Sequence, residues 1–306
     1  MDKAKAFGPA TIANLGAGFD ILGLAIEGLG DVVEARRTRQ AGVRIVAIES
    51  PVQLPYDPRE NVAGIAATAV LESGNADFGV ELSIWKGMGV GTGLGSSAAS
   101  AAAAARAVNA ILATPVSSQD LIEAVILGET AVAGRHGDNA APAILGGLVL
   151  IESLDPVQTR QLPVPAGGQL VIVAPNMELS TKAARGRLPQ EVSRLDAVTQ
   201  AARLGAMVDA CHRNDLHGFA ANAVDLIAQP SRVSLIPGAG QALEAAREVG
   251  ALQSFICGSG PTLGALLDGE AEGEAVANAM VAAMAVAGLS SEIYFSRLDN
   301  PGARLV

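Results

Sequence analysis

Apolar positions recur along this chain with two different periods, and segments of the two kinds follow one another. Alternating or continuous short apolar runs predict strands at 32–36, 43–48, 80–85, 147–151, 169–174, 253–257, 262–267 and 291–297. Helical spacing or helix-forming composition predicts helices at 60–72, 98–112, 118–134, 190–210, from 215, 238–249 and 270–287. The mixture predicts an α+β fold.

Proline and glycine interrupt this pattern near the middle of the chain. Residues 155–168 carry three prolines and two adjacent glycines, which is typical of a linker. We therefore predict two domains, at 1–155 and 156–306. In the segment 6–20, Pro9 and the pair Gly16 and Gly18 predict irregular backbone.

The segment 87–105 is the strongest candidate for a binding site. Glycines stand at every second position from 87 to 95, Ser96 and Ser97 follow, and an alanine run comes next. Glycine reaches positive φ freely, and alanine is the best helix former, so a loop leads into a helix N-terminus here. Free amides and the helix dipole at that point suit a phosphate group. A serine hydroxyl there could also bind a phosphate-bridging metal ion.

Other interpretations of this segment are weaker. Residues 87–105 are uncharged and long enough to span a membrane, but the glycines and hydroxyl groups make them too polar. Residues 93–98 fit the dinucleotide pattern G-x-G-x-x-A, yet the acidic residue expected about 20 positions later is missing. A Walker loop needs a lysine, and Ser96 follows Gly95 instead. A purely structural glycine loop stays open as an alternative.

The composition and net charge of the chain argue against some classes of binding partner. The 306 residues are 50% hydrophobic and carry a formal net charge of −10, which argues against nucleic acid and anionic membranes as partners. Cys211 and Cys257 are far apart and lack metal-ligand spacing, so a reducing compartment is expected. The N-terminus lacks the apolar core of a signal peptide, and the expected location is the cytoplasm.

Several polar residues are ordinary when each is considered alone. Asn14 and Asp20 lie in a glycine-containing turn, where such side chains commonly bond the loop backbone. His136 lies in a loop beside an acid and an amide. Thr181 and Arg185 are four apart and would share one helix face, where an arginine is usually a solvated charge.

Four sequence motifs, taken in chain order, indicate that these residues belong to one site. They are Pro9-Ala-Thr-Ile-Ala-Asn-Leu-Gly-Ala-Gly-Phe-Asp20, Gly93-Leu-Gly-Ser-Ser-Ala-Ala99, His136-Gly-Asp-Asn-Ala-Ala-Pro142 and Cys257-Gly-Ser-Gly-Pro-Thr262. Together they resemble the GHMP small-molecule kinases, and within them the branch that phosphorylates L-homoserine for threonine biosynthesis. The resemblance implies a ribosomal-S5-domain-2-like N-terminal domain, a ferredoxin-like C-terminal α/β sandwich and an active site between them.

The resemblance also implies ligands and residue roles. ATP and Mg²⁺ are the expected cofactors, L-homoserine is the expected acceptor, and a homodimer is left open. The amino acid would be bound by Asn14, Asp20, His136, Thr181, Arg185 and Arg232. Asp20 and Asn139 would be the catalytic residues. The nucleotide would be bound by Asn61, Gly91, Gly93, Leu94, Gly95, Ser96 and Ser97. Mg²⁺ would be bound by Glu129 and by Ser97 or Ser96.

The departures from the family pattern are few. Ile12 stands where a small polar residue is usual, and no aspartate is clearly placed as a catalytic base. Asn139 occupies the expected position of that base. Another GHMP-type kinase, acting on mevalonate, a sugar or a diphosphocytidyl polyol, is the first alternative. A nucleotide-binding module without catalysis and an NAD-dependent oxidoreductase are the others.

Overall fold

The computed structural model describes residues 1–132, 134–269 and 272–306. Two antiparallel-rich sheets carry the fold. The first has seven strands: β1 (Lys3–Ala13), β2 (Leu22–Thr38), β3 (Val43–Glu49), β4 (Gly79–Trp85), β5 (Leu148–Leu154), β6 (Val157–Leu162) and β11 (Arg304–Leu305). The second has four strands: β7 (Gly168–Pro175), β8 (Gln253–Ile256), β9 (Leu263–Asp268) and β10 (Ser291–Arg297).

Four helices pack with the first sheet: α1 (Val62–Ser73), α2 (Ser96–Ile111), α3 (Ser118–Val132) and α4 (Ala140–Leu145). In this sheet the order is β11-β1-β2-β4-β3, and the β5–β6 hairpin pairs with the first part of β2. Only β3 and β4 pair in parallel among the pairings described.

The alanine-rich helix α2 lies at the centre of this half. Its alanines are almost all fully buried among α1, α3 and the sheet. A Cβ built on Gly8 of β1 would lie 2.1 Å from the carbonyl oxygen of Ala99. Small residues on both elements therefore allow α2 and β1 to approach each other closely.

The remaining helices belong to the second half. They are α5 (Thr181–Arg185), α6 (Arg194–Arg213), α7 (Leu216–Asn222), α8 (Gln229–Arg232), α9 (Ala239–Glu248) and α10 (Gly273–Val286). A short 3-10 turn follows α8 at Val233–Leu235. The order of the sheet is β10-β7-β9-β8.

Alternate residues of β7 face two different cores. Val171 and Val173 pack under α9 and α10, whereas Leu170 and Ile172 face the first half of the chain. The second set shares one buried cluster with Ile12, Leu24 and the helices α6 and α7. This apolar seam holds the two halves together beside the candidate site.

The structure corrects three sequence-based expectations. Residues 3–13 form a strand despite Pro9, because the register of β1 against β2 shifts at Pro9/Thr11 and the proline sits at that irregularity. Strand β2 begins ten residues earlier than predicted, at Leu22. The expected linker contains β6, so the chain passes from the first sheet to the second between Leu162 and Gly168. The division into domains 1–155 and 156–306 stays a prediction.

The α+β architecture and most other predicted elements are confirmed. Helix α6 begins four residues later than predicted, at Arg194, where the Ser193 side chain caps it. The predicted start of the last helix, at residue 270, lies outside the described residues. Across the described ranges, no helix is both long and apolar enough to cross a membrane.

Candidate active site

A cavity of about 410 Å³ lies where the two halves meet. It is lined by the glycine-rich loop, the first turn of α2, and side chains from α3, α5 and α8. Among the residues assigned from the sequence, those that border it are Asn14, Asp20, Asn61, Gly91, Gly93, Gly95, Ser96, Ser97, Glu129, His136, Asn139, Thr181, Arg185 and Arg232. Leu94 is the exception: its side chain is buried, and its carbonyl accepts a hydrogen bond from the Thr11 amide at 3.0 Å.

Backbone geometry opens the start of α2 toward this cavity. Gly91, Gly93 and Gly95 all have positive φ, which L side chains rarely adopt. Gly95 occupies the N-cap position and supplies no side chain to bond the first-turn amides. A Cβ there would lie 2.0 Å from Thr11 Oγ1. The free amides of Ser96 and Ser97 and the positive end of the helix suit an anion.

A buried ion pair underlies the same turn. Lys86 donates to Asp31, and the two side chains are 3% and 0% exposed. Lys86 Nζ also lies 2.7 Å from Ser96 Oγ and 3.0 Å from Ser100 Oγ. No local sequence pattern indicates this pair, because Asp31 lies on β2, far from the loop in sequence.

Glu129 of α3 is a buried acid that lines the cavity. It is 5% exposed, and burial raises its pKa to about 7, while a Ser97 hydrogen bond and the charge of Lys86 oppose the shift. Its Oε1 atom has no hydrogen-bond partner among the described residues. An unpartnered carboxylate oxygen beside a serine hydroxyl fits Mg²⁺, which usually combines one or two carboxylates with substrate phosphates. No group of three or more His, Cys, Asp and Glu side chains suited to a metal occurs in the described ranges.

Charged side chains from both halves of the chain also meet in this cavity. Arg185 donates to both oxygens of Asp20, at 2.7 and 3.2 Å, and its NH2 lies 3.0 Å from His136 Nδ1. Asp20 has a φ of +58°, held by the hydrogen bond from its amide to Asn14 Oδ1 at 3.0 Å. The strained turn thus presents the carboxylate to the cavity.

Two further residues converge on the carbonyl oxygen of Gly258. Asn14 Nδ2 donates to it at 3.0 Å and Arg232 NH1 at 2.9 Å. Arg232 is 3% exposed, and burial and the charge of Arg185 lower its pKa. Its Nε atom has no hydrogen-bond partner within the described part of the chain. Thr181 Oγ1 lies nearby, 3.4 Å from Ser259 Oγ.

Asp138 and Asn139 also line the cavity. Thr11 Oγ1 donates to Asn139 Oδ1 at 2.7 Å, which fixes the orientation of the amide. Asp138 is 4% exposed, and burial, with the negative charge of Asp20, raises its pKa to about 7. Asp138 and Thr11 were not among the predicted site residues, since neither burial nor a contact this distant in sequence leaves a local signal.

Asn61 borders the cavity, and both polar atoms of its side chain already form hydrogen bonds with the backbone. Its Oδ1 accepts from the Ala63 amide at 3.0 Å and so caps α1, and its Nδ2 donates to the Pro55 carbonyl at 2.9 Å. A contact with adenine would use its remaining hydrogen-bonding capacity and stays a prediction.

Two GHMP kinase family models and full-length homoserine kinases match this sequence. The profile of the GHMP kinases N terminal domain matches residues 61–147, and that of the GHMP kinases C terminal region matches residues 207–286. The chain is 39% identical to a homoserine kinase of Xanthomonas campestris pv. campestris, over 100% of this chain and 95% of that protein. It is 42% identical to a homoserine kinase of Arabidopsis thaliana, over 99% and 85%.

Solved structures agree with this grouping. A homoserine kinase from Cytophaga hutchinsonii is 36% identical and superposes with a TM-score of 0.95, covering 100% of this chain and 98% of that one. A mevalonate kinase of L. major, 16% identical with a TM-score of 0.70 over 97% of each chain, shares the fold alone. The two-domain GHMP kinase fold expected from the motifs is confirmed, and the chain belongs to the homoserine kinase family of GHMP kinases.

Proposed function

We propose that this enzyme transfers the γ-phosphoryl group of ATP to the side-chain hydroxyl of L-homoserine, yielding ADP and O-phospho-L-homoserine for threonine biosynthesis. One observation carries the proposal. A single cavity is lined both by an open helix N-terminus and by paired acidic and basic groups that match the two charges of an amino acid.

At the nucleotide end, backbone amides bind the phosphates in place of the lysine of a Walker loop. The triphosphate would lie against residues 91–97, where the amides of Ser96 and Ser97 and the helix dipole neutralise charge on the phosphates. A phosphoryl transfer with a loose transition state needs positioning and charge neutralisation more than covalent help. The loop has a fixed conformation, so it provides positioning and charge neutralisation before the substrate binds.

Glu129 and Ser97 are the residues that would hold Mg²⁺. The bound ion would neutralise charge on the phosphate oxygens. Ser97 is favoured over Ser96, because the Ser96 hydroxyl is held by Lys86 and the Ser97 hydroxyl bonds Glu129.

At the amino-acid end, Arg185, Arg232 and Thr181 would bind the substrate carboxylate. Each arginine keeps a buried Nε–H that no described protein group accepts. Asn14, His136 and Asp20 would bind the rest of the molecule, with Asp20 orienting the hydroxyl toward the γ-phosphorus. Orientation is the main role assigned to Asp20, because a carboxylate is a weak base toward an alcohol. Asn139, fixed by Thr11, would lie beside the transferred group.

The test is an assay of ATP-dependent phosphorylation in which the release of ADP is measured. Purified enzyme is assayed with L-homoserine, mevalonate and galactose, each with Mg²⁺ or with excess chelator. We expect turnover with L-homoserine and Mg²⁺ and a loss of at least ~100-fold for the other alcohols, whose charges do not match the site. Equal or faster turnover of another alcohol would overturn the assignment.

Two further proposals concern the molecule in solution and in the cell. We propose a cytoplasmic location, since ATP and amino-acid intermediates are found there. We also propose a homodimer, and light scattering at micromolar concentration would measure its mass.

A further inference from the structure

One buried carboxylate contacts both ends of the glycine-rich loop. Asp31 of β2 is 0% exposed. On the entry side of the loop it accepts from Lys86 Nζ and from the Gly87 amide, the latter at 3.0 Å. On the exit side it accepts from Ser100 Oγ in α2 at 2.6 Å. Asp31 therefore joins the residues that precede the loop to the helix that follows it.

Lys86 makes a second set of contacts across the same gap. Its Nζ lies 2.7 Å from Ser96 Oγ, 3.0 Å from the Ser96 carbonyl oxygen and 3.0 Å from Ser100 Oγ, in addition to its contact with Asp31. An ammonium group has three protons, and these four acceptors use all of them. Although Lys86 borders the cavity, it has no proton left to donate to a phosphate.

These contacts determine the geometry of the first helical turn. The Ser96 carbonyl and hydroxyl are held below the helix by Lys86, which leaves the amides of Ser96 and Ser97 at the open end. A pair of apolar residues in the same place would often stabilise a core to the same degree as a buried ion pair. The location of this pair, at the base of the loop, therefore indicates a role in positioning.

We propose that Asp31 and Lys86 form a clasp that positions the phosphate-binding turn and acts through that turn, without touching the nucleotide. The proposal rests on the proposed function, since it assumes that residues 91–97 bind ATP. It assigns the pair to nucleotide affinity and leaves the amino-acid end of the cavity unaffected.

The test compares Asp31→Asn, Lys86→Gln and the double variant. Each single variant should raise KM for ATP, and Kd for ADP measured by calorimetry, by about tenfold or more, because the turn loses its fixed geometry. KM for L-homoserine should stay within about twofold of wild type, and the double variant should bind ADP no worse than the weaker single variant. Glu81→Gln, which breaks the more exposed Arg44–Glu81 pair between β3 and β4, is the control and should match wild type.

Ser100→Ala keeps the test decisive if a charge variant does not fold. It removes one hydroxyl contact from each member of the clasp and should raise Kd for ADP by about threefold. Wild-type ADP affinity in folded variants would overturn the proposal. Loss in Lys86→Gln with none in Asp31→Asn would also overturn it, by indicating direct contact with the nucleotide. Failure of the proposed function would appear instead in the wild-type enzyme, as no turnover of L-homoserine.

Discussion

The guanidinium of Arg185 binds the carboxylate of Asp20 through two hydrogen bonds, of 2.7 and 3.2 Å, although the residues are 165 positions apart. Asp20 comes from the first half of the chain and Arg185 from the second, so the pair spans the cavity. Arg185 Nε has no hydrogen-bond partner among the described residues. This Nε–H therefore remains for a ligand while the pair is intact.

Replacing Asp20 by Asn should lower kcat by about 100-fold while the protein stays folded. The amide has the shape of the carboxylate but lacks the charge that binds Arg185 and orients the hydroxyl. Stability should change little, because the pair is partly exposed and such pairs contribute little. Steady-state kinetics and a thermal melt check both parts, with Asp77→Asn in the exposed Arg37–Asp77 pair as control. Full turnover in Asp20→Asn would remove Asp20 from the catalytic residues.

Arg185→Ala should raise KM for L-homoserine by about 10- to 100-fold and leave KM for ATP near wild type. The reason is the loss of charge-assisted hydrogen bonds to the substrate carboxylate. Arg185→Lys should recover only part of the affinity, because a lysine ammonium cannot bind both oxygens of Asp20 and present a separate N–H to the substrate in a fixed geometry. Arg187→Ala, two residues further along and exposed, is the matched control. An unchanged KM for L-homoserine in Arg185→Ala would exclude the contact.

The parts of the site that the sequence predicts are those carried by local patterns. The loop 87–95 could be recognised because its chemistry is in the backbone, and glycine spacing shows where a backbone can adopt positive φ. Helix α2 could be predicted from its alanine run, because helix propensity is also a local property of the sequence. Asp20 is identified through the motif around it and Arg185 only through the family resemblance, and the structure adds their pairing.

The residues that were missed depend on contacts between distant strands. Asp31 lies in the interior of a 17-residue strand, and its partner Lys86 is 55 positions later. Thr11, which fixes Asn139, is 128 positions away from it. Neither has a neighbour in sequence that indicates its role, and strand β1 was itself hidden by Pro9. Only the pairing of β1, β2 and β4 brings these residues to the loop.

Glu129→Gln should weaken activation by Mg²⁺ by about tenfold or more, because a neutral amide is a poorer ligand for a hard cation. In the wild type, activation should strengthen as pH rises through about 7, since the raised pKa of Glu129 leaves much of it protonated below that value. Mg²⁺ titrations of activity from pH 6 to about 8.5 measure both effects. The control is Glu123→Gln on the same helix, whose partner is Arg135. An unchanged Mg²⁺ requirement in Glu129→Gln would place the ion elsewhere.

Gly95→Ala should reduce nucleotide affinity, whereas Gly205→Ala should not. A Cβ at Gly95 would overlap Thr11 Oγ1 at 2.0 Å, and its φ of +63° is unfavourable for alanine, so the first turn of α2 must shift. Gly205 lies on the exposed face of α6 with nothing within 4 Å of a built Cβ. Its replacement should stabilise the protein by about 0.5–1 kcal/mol. ADP calorimetry and urea unfolding of both variants check this contrast, and equal ADP affinity would contradict it.

Asp138→Asn should stabilise the enzyme at alkaline pH and not in acid. Burial and the charge of Asp20 raise the pKa of Asp138 from 3.8 to about 7, so between these values the folded state holds a proton that the unfolded state has released. The free energy of unfolding of the wild type therefore falls as pH rises through this window.

The stabilising contribution of that proton is fully present below about pH 4 and absent well above pH 7. The amide resembles the protonated acid and does not titrate, so at pH 8 the variant should exceed the wild type by on the order of 2 kcal/mol. The two should converge near pH 4, while the residual slope of the variant reports Glu129, whose pKa is raised in the same direction. Urea unfolding at half-unit intervals of pH measures the difference, with the exposed Asp77→Asn as control. Parallel curves for Asp138→Asn and wild type would show that Asp138 is already ionised in the folded protein at neutral pH.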